Sequence, residues 1–379
     1  MNFITEGIMG LVDNPLMLVM WAIGGLLIFL AIKFDYEPAL LLPMGFGAIL
    51  VNLPLSGVLD GKIGDIPFAG IIEWLHRIGI DAAEALPLIL FIGIGAMIDF
   101  GPLLSNPKMF LFGASAQFGI FVAILVAAIA GFDMKDAASI GIIGAADGPT
   151  AILVSKVLGS SYTGPIAVAA YSYMALVPIV LPFAIKLVTT KKERLIRMKY
   201  HPASVSRMTR ILFPIIVTIV AGLVAPASVS LVGFLMFGNL IRECGKLETM
   251  SKTAQNELAN LVTILLGITI SFNMRADEFL SLQTLFIMGI GLLAFVFDAI
   301  GGVMFAKLIN LFSKNKVNPM IGAAGISAFP MASRVVQKMG IQEDKNNFLL
   351  MHAAGANVAG QIASVVAGGI ILNLVGSML

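Results

Sequence analysis

Cysteine and charge are both scarce in this 379-residue chain. Its single cysteine, Cys244, rules out an internal disulfide and any cysteine-based zinc or iron–sulfur centre. The three histidines, His76, His201 and His352, fall at no metal-ligand spacing. There is no Walker loop, no Gly-x-Gly-x-x-Gly turn after a strand, no acid–histidine pattern of a zinc hydrolase and no Ala-Met-Lys-Met biotin-attachment sequence. Charged residues make up 12% of the chain against ~25% in ordinary soluble domains. The net charge of +2 gives no indication of a nucleic-acid partner. What fills the space is apolar. Hydrophobic residues reach 58% and the mean hydropathy is +0.96. Strand-type alternation is absent, so a membrane β-barrel is not expected, and the chain reads as an all-α polytopic membrane protein.

Apolar spans are predicted near 15–32, 38–56, 84–100, 108–130, 138–158 and 163–188, and again near 211–227, 229–242, 258–275, 281–311, 319–339 and 347–377. The first run lacks a basic flank and a small-residue cleavage site, so it reads as a transmembrane helix rather than a cleavable signal. Residues 66–80 are too short and too charged to span and are expected to form an interfacial or re-entrant helix. Between the two sets of spans, Lys191, Lys192, Arg194, Arg197, Lys199, Arg207 and Arg210 face one acid, Glu193. The positive-inside rule makes this loop cytoplasmic, and its charge could also dock a soluble partner. It divides the chain into a first membrane repeat with an N-terminal helix (1–188), the basic loop (189–210) and a second repeat (211–379).

Weak matches recur in the same order in both halves. Pro38-Ala39, Gly45-Phe46 and Asn52-Leu53 answer Pro226-Ala227, Gly233-Phe234 and Asn239-Leu240. Ile143-Gly-Ala-Ala146 answers Ile321-Gly-Ala-Ala324. Repeats with interrupted helices at matching places are the mark of transporters with a midplane site. If the segments 138–158 and 319–339 cross fully, six spans per half give parallel repeats. If each is re-entrant, five give inverted ones.

The chemistry concentrates at those interruptions. Asp147 sits in an apolar stretch opened by Gly148 and Pro149. A carboxylate at the bilayer centre costs at least ~2.5–3.5 kcal/mol, so it is rarely there without a task. The opened helix offers carbonyl oxygens beside it, which together make a hard cation site. The second interruption begins at Asn318-Pro319, a good helix start. Ser327 follows nine residues on, ~13 Å along a helix and so near the midplane. Gly322 and Gly325 permit close backbone approach, and Pro330 breaks the helix again. Arg334 is the one strong cation here, either snorkelling to the surface or held to meet an anion. Tyr173 and Asn357 follow the two breaks at matching positions and offer neutral oxygen, which with Asp147 would suit partly dehydrated Na⁺. Asp298 is a second intramembrane acid with no break and no counterpart, and reads as structural. Asp99, at a span end, reads as solvated.

The stretch Gly-Ile-Ile-Gly-Ala-Ala-Asp-Gly-Pro-Thr at 141–150 resembles the hallmark of the β-subunits of sodium-pumping biotin-dependent decarboxylases, a family acting with oxaloacetate, methylmalonyl-CoA, glutaconyl-CoA and malonate systems. The resemblance continues through Tyr-Ser-Tyr-Met-Ala-Leu-Val-Pro at 171–178, the whole of 318–334, and His352 to Gln361. It implies a subunit of the bacterial cytoplasmic membrane that decarboxylates carboxybiotin presented by a partner, consumes a proton and exports Na⁺. It implies that Asp147 and Asn357 bind Na⁺, and that Tyr173 and Ser327 serve a second ion site or proton delivery. Asn318, Gly322 and Arg334 would lie in the functional break, with Arg334 available to the carboxybiotin carboxylate. It also implies a scaffold plus a mobile, elevator-like core of inverted repeats and a homotrimer. The implied partners are a carboxyltransferase subunit, a biotin carrier and a small single-span subunit. Asp298 departs from the expected pattern. The shorter chain leans towards the glutaconyl-CoA or methylmalonyl-CoA systems. The alternative is a Na⁺/H⁺ antiporter or a Na⁺-coupled carboxylate transporter.

Overall fold

The computed structural model describes residues 2–63, 66–82, 84–198 and 205–378. Lys199 and His201 lie outside the described residues. Among the described residues, six helices are long and apolar enough to cross a bilayer: Leu16–Phe34, Met109–Ile129, Arg207–Val224, Glu248–Met274, Leu282–Phe312 and Leu350–Gly376. Two bent pairs raise the number to eight, namely Ile71–Ala82 with Ala85–Met97, at 71°, and Thr163–Met174 with Leu176–Val188, at 74°. The second bend has a local cause. Pro178 has no N–H to give the carbonyl of Met174, and its ring crowds that carbonyl, so the helix opens at this point. Burial separates the helices into inner and outer. Leu350–Gly376 is 67% buried by the rest of the chain, and Arg207–Val224 only 11%. An apolar helix left that bare has lipid as its solvent. The protein is a multi-pass membrane protein.

One expectation at the edges is corrected, and two further features are seen. Residues 66–80 do not form a single helix. Asp60–Ile63 and Ile66–Ala69 pair as an antiparallel hairpin, and the helix begins only at Ile71. Residues Asn2–Asp13 form a helix ahead of the first span. Asp99 is not simply a solvated terminus. It accepts from the Gly101 N–H at 2.8 Å and pairs with Arg210 (3.8 Å) and Arg242 (3.9 Å).

Each broken segment leaves and rejoins the same end of the molecule. In the first, helix Met134–Gly141 passes through a tight turn at Ile142–Ala145 and returns as Gly148–Val157. Its two roots are tied, because Asp136 accepts from the Ser160 hydroxyl (2.6 Å) and the Ser161 N–H (3.1 Å). In the second, Met320–Ala323 enters and Met331–Glu343 returns. Its roots share one anchor in the basic loop. The Arg194 carbonyl accepts from Asn318 Nδ2 (2.9 Å) and Asn347 Nδ2 (3.0 Å), while the Arg194 guanidinium meets Glu343 at 2.6 Å. The helix Thr163–Val188 runs between these two ends.

The basic loop is therefore docked as well as charged. Arg194→Ala removes a charge-assisted bond between two mostly buried groups, a loss of ~1.5–3 kcal/mol. The expected result is a lower Tm with faster hydrogen exchange at 344–349. Beside it, the Arg197 guanidinium bonds Asp344 at 2.5 Å and holds that carboxyl below the ordinary aspartate value. A depressed pKa means this tie is intact above the unfolded aspartate value of ~3.9 and is lost as pH falls below it. Hydrogen exchange of this turn, corrected for intrinsic rates, should be flat from pH 5 to 8 and should rise only in stronger acid.

Candidate ion site at the meeting of two broken segments

The two tips touch. The Ser327 hydroxyl donates to the carbonyl of Ala145, and the Ser327 N–H points at the same oxygen at 3.4 Å. Ala146 follows with φ 53°, a left-handed conformation unusual for alanine that turns the chain into Asp147. Asp147 stands at the first residue before the returning helix, and Gly148 and Pro149 open that helix. Its side chain is buried at 4% exposure. Oδ2 accepts from the Thr150 hydroxyl at 2.6 Å and from the Ser364 hydroxyl at 3.1 Å. The carboxylate is thus held off water by two hydroxyls and the Thr150 backbone N–H.

The central helix Leu350–Gly376 lines both tips. Asn357, Gly360, Ser364 and Gly368 recur at three- and four-residue steps, so they share a face. Asn357 Nδ2 donates to the Ile326 carbonyl at 2.6 Å, leaving Oδ1 buried with no partner among the described residues. Gly360 abuts the Gly325 carbonyl, and Gly368 lies under the Thr150 methyl. Small residues let the backbones come this close, so amide and hydroxyl groups face the tips rather than lipid. The donor set is one carboxylate, two broken-helix carbonyls, hydroxyls and an amide oxygen. That is the set by which interrupted membrane helices hold an alkali cation.

The structure sorts the remaining expected residues. Gly322 lies backbone to backbone against Gly302. Asn318 anchors the root of its segment, bonding the Arg194 and Ile196 carbonyls (2.9 and 2.8 Å). Tyr173 turns its hydroxyl to the Met288 carbonyl in the helix Leu282–Phe312. Tyr171, two residues earlier, is the ring that packs on Gly148 beside Asp147. Arg334 is exposed on the limb leading back to the basic-loop end, and the charge facing it is Glu37. Burial raises the Glu37 carboxyl above its ordinary value, against the pull of Arg334. Asp298 accepts from the Gly119 N–H inside the span Met109–Ile129, with its second oxygen beside Gly144. It bridges an irregularity in that span, and its Oδ2 has no hydrogen-bond partner among the described residues.

Sequence reasoning missed Thr150, Ser364 and Tyr171. Thr150 was legible as the third residue after an aspartate at a helix start, and Ser364 as one helical face with Asn357.

Residues 16–375 match the family described as the Na⁺-transporting oxaloacetate decarboxylase beta subunit. The chain belongs to that family. It is 45% identical over 375 residues to the methylmalonyl-CoA decarboxylase subunit beta of Propionigenium modestum, covering 95% of each. It is 47% identical over 359 residues to the glutaconyl-CoA decarboxylase subunit beta of Acidaminococcus fermentans, covering 94% of this chain and 93% of that one. Against the oxaloacetate decarboxylase beta chain of Klebsiella pneumoniae the identity is 43% over 414 residues, with 95% of each covered. Membership of this decarboxylase family makes the chain a membrane decarboxylase subunit.

Proposed function

We propose that this chain couples the decarboxylation of carboxybiotin, carried in by a partner subunit, to Na⁺ export through the Asp147 site. The observation that carries the reading is the contact of the two tips. It sets a buried carboxylate beside two interrupted backbones on one small-residue helix face. Na⁺ is the cargo, held by Asp147 with Asn357 beside it, and Ser327 sits at the tip contact. The proton consumed by decarboxylation competes for the same carboxylate, and protonation releases the ion. Moving one charge against 100 mV takes ~2.3 kcal/mol, so decarboxylation must bias the two facing states by at least that per ion. Arg334, exposed on the basic-loop side, receives the carboxybiotin carboxylate. Tyr173 acts through its bond to the Met288 carbonyl, which ties the helix Thr163–Val188 to Leu282–Phe312.

Inverted repeats underlie this cycle. Each half contributes a re-entrant segment rooted at opposite ends. The matched asparagines support the same symmetry. Asn52 bonds the carbonyl of Met274 at the end of one helix (2.8 Å), and Asn239 bonds that of Ile98 at the end of another (3.0 Å), each reaching into the other half. On this reading 1–188 and 211–379 are the repeats, the broken segments belong to an elevator-like core, and the outer helices form the scaffold. The assembly is a homotrimer with carboxyltransferase, biotin-carrier and small single-span subunits, and the basic loop faces the carrier.

The test is the complex in proteoliposomes, with ²²Na⁺ movement and CO₂ release followed together. The expected result is Na⁺ transport that requires carboxybiotin turnover. Na⁺ movement by this chain alone, without carboxybiotin, would replace the reading with a secondary transporter.

A further inference from the structure

Beyond Asp147, a second buried carboxylate has no role in the reading above. Glu84 sits at the 71° bend between Ile71–Ala82 and Ala85–Met97, with φ 53°, a left-handed conformation that few side-chain-bearing residues adopt. It is 5% exposed, and its Oε2 has no hydrogen-bond partner among the described residues. The hydroxyl of Tyr171 is equally buried and equally without a partner. That ring packs on Gly148, the residue after Asp147, and it lies within electrostatic reach of both Asp147 and Glu84. Beyond Glu84 the polar groups continue outward. Lys156 faces Glu84, bonds the Ile80 carbonyl at 2.7 Å and stands 3.5 Å from Asp81 Oδ1. Asp81 also meets His76 at 3.2 Å, and its side chain is 54% exposed.

These groups form an ordered series from a buried carboxylate to solvent, at the end of the molecule opposite the basic loop. A buried carboxylate oxygen without a donor is costly, and it persists where something else occupies it for part of the time. A cation leaving Asp147 needs a next carboxylate, since a bare step through apolar packing is prohibitive. We propose that Glu84 and the Tyr171 hydroxyl form a second, outward-side cation site that takes the Na⁺ released from Asp147 and passes it to the Asp81 mouth. Lys156, tethered at that mouth, is the positive charge that returns to Glu84 once the ion has gone and so opposes its re-entry. This rests on the reading of Asp147 as the Na⁺ site.

The test uses the reconstituted complex with Na⁺ varied independently on the two faces. Na⁺ on the far face slows the wild-type pump by refilling the exit. Glu84→Gln is expected to lower turnover about tenfold and to raise the far-face Na⁺ needed for half-inhibition at least tenfold. The near-face Na⁺ for half-activation should stay within about twofold of wild type. Glu84→Asp should restore far-face inhibition. Tyr171→Phe, which keeps the ring and the packing on Gly148, should weaken far-face inhibition severalfold and guards against a Glu84 variant that fails to assemble. Far-face inhibition unchanged in both Glu84→Gln and Tyr171→Phe overturns the proposal. So does a near-face shift in Glu84→Gln as large as that of Asp147→Asn, which would place Glu84 in the loading site. Absence of any Na⁺ transport by the wild-type complex overturns the parent reading instead, and is seen before any variant is compared.

Discussion

Asp147→Asn lowers the affinity for activating Na⁺ by about a hundredfold, ~2.7 kcal/mol, in the reconstituted complex. The substitution keeps the shape and one acceptor oxygen, so the Thr150 and Ser364 hydroxyls still find a partner and the tip remains folded. What is lost is the one full charge in a set otherwise made of dipoles. The measurement is the rate of carboxybiotin decarboxylation against Na⁺ concentration, with Tm as the control for folding. A variant whose Na⁺ activation curve overlays that of the wild type would remove Asp147 from the ion site. Na⁺ dependence that survives in Thr150→Val and Ser364→Ala at severalfold weaker affinity would mark those hydroxyls as supports for the carboxylate.

Gly322→Ala is expected to damage the protein through packing. A methyl group at Gly322 falls on the backbone carbonyl of Gly302, and one at Gly302 falls on the carbonyl of Gly322. Backbone cannot move aside as a side-chain end can, so the Leu282–Phe312 helix must shift away from the second tip. Overpacking of this kind costs ~1–3 kcal/mol or more. Either alanine variant should lower Tm by several degrees and cut coupled transport, with the Na⁺ half-activation constant moved far less than in Asp147→Asn. A Gly322→Ala complex as stable and as active as the wild type would show that the two helices are not this close in the working protein.

These residues also show what the sequence could say and where it stopped. The apolar runs placed most of the six to eight spans within a few residues, because lipid leaves backbone groups no partner outside a helix, but twelve predicted spans were too many: Pro38–Val51 and Val229–Glu243 are shorter helices, and 138–158 and 319–339 are broken. Asp147, Ser327, Asn357 and Asn318 stood out because polar groups in an apolar run are expensive, and all four are placed at or near the two breaks. Tyr173 was singled out by its spacing, matched to that of Asn357, and by the family resemblance, while nothing in the sequence marked Tyr171, whose ring packs on Gly148. The hairpin of Asp60–Ile63 with Ile66–Ala69 was missed because its second strand was read as the start of an interfacial or re-entrant helix over 66–80. The parity of the broken segments was open for a related reason. Whether such a segment crosses or returns depends on what its ends bond, and those partners, Ser160 for one and Arg194 for the other, lie far along the chain or in a loop.

The Arg194 carbonyl is shared by Asn318 and Asn347, which stand on either side of the second broken segment. A single peptide oxygen is therefore a common hinge pin for both of its limbs. A partner that grips the basic loop from outside displaces the two limbs together, as one lever, and the far tip of that lever is the serine resting on Ala145.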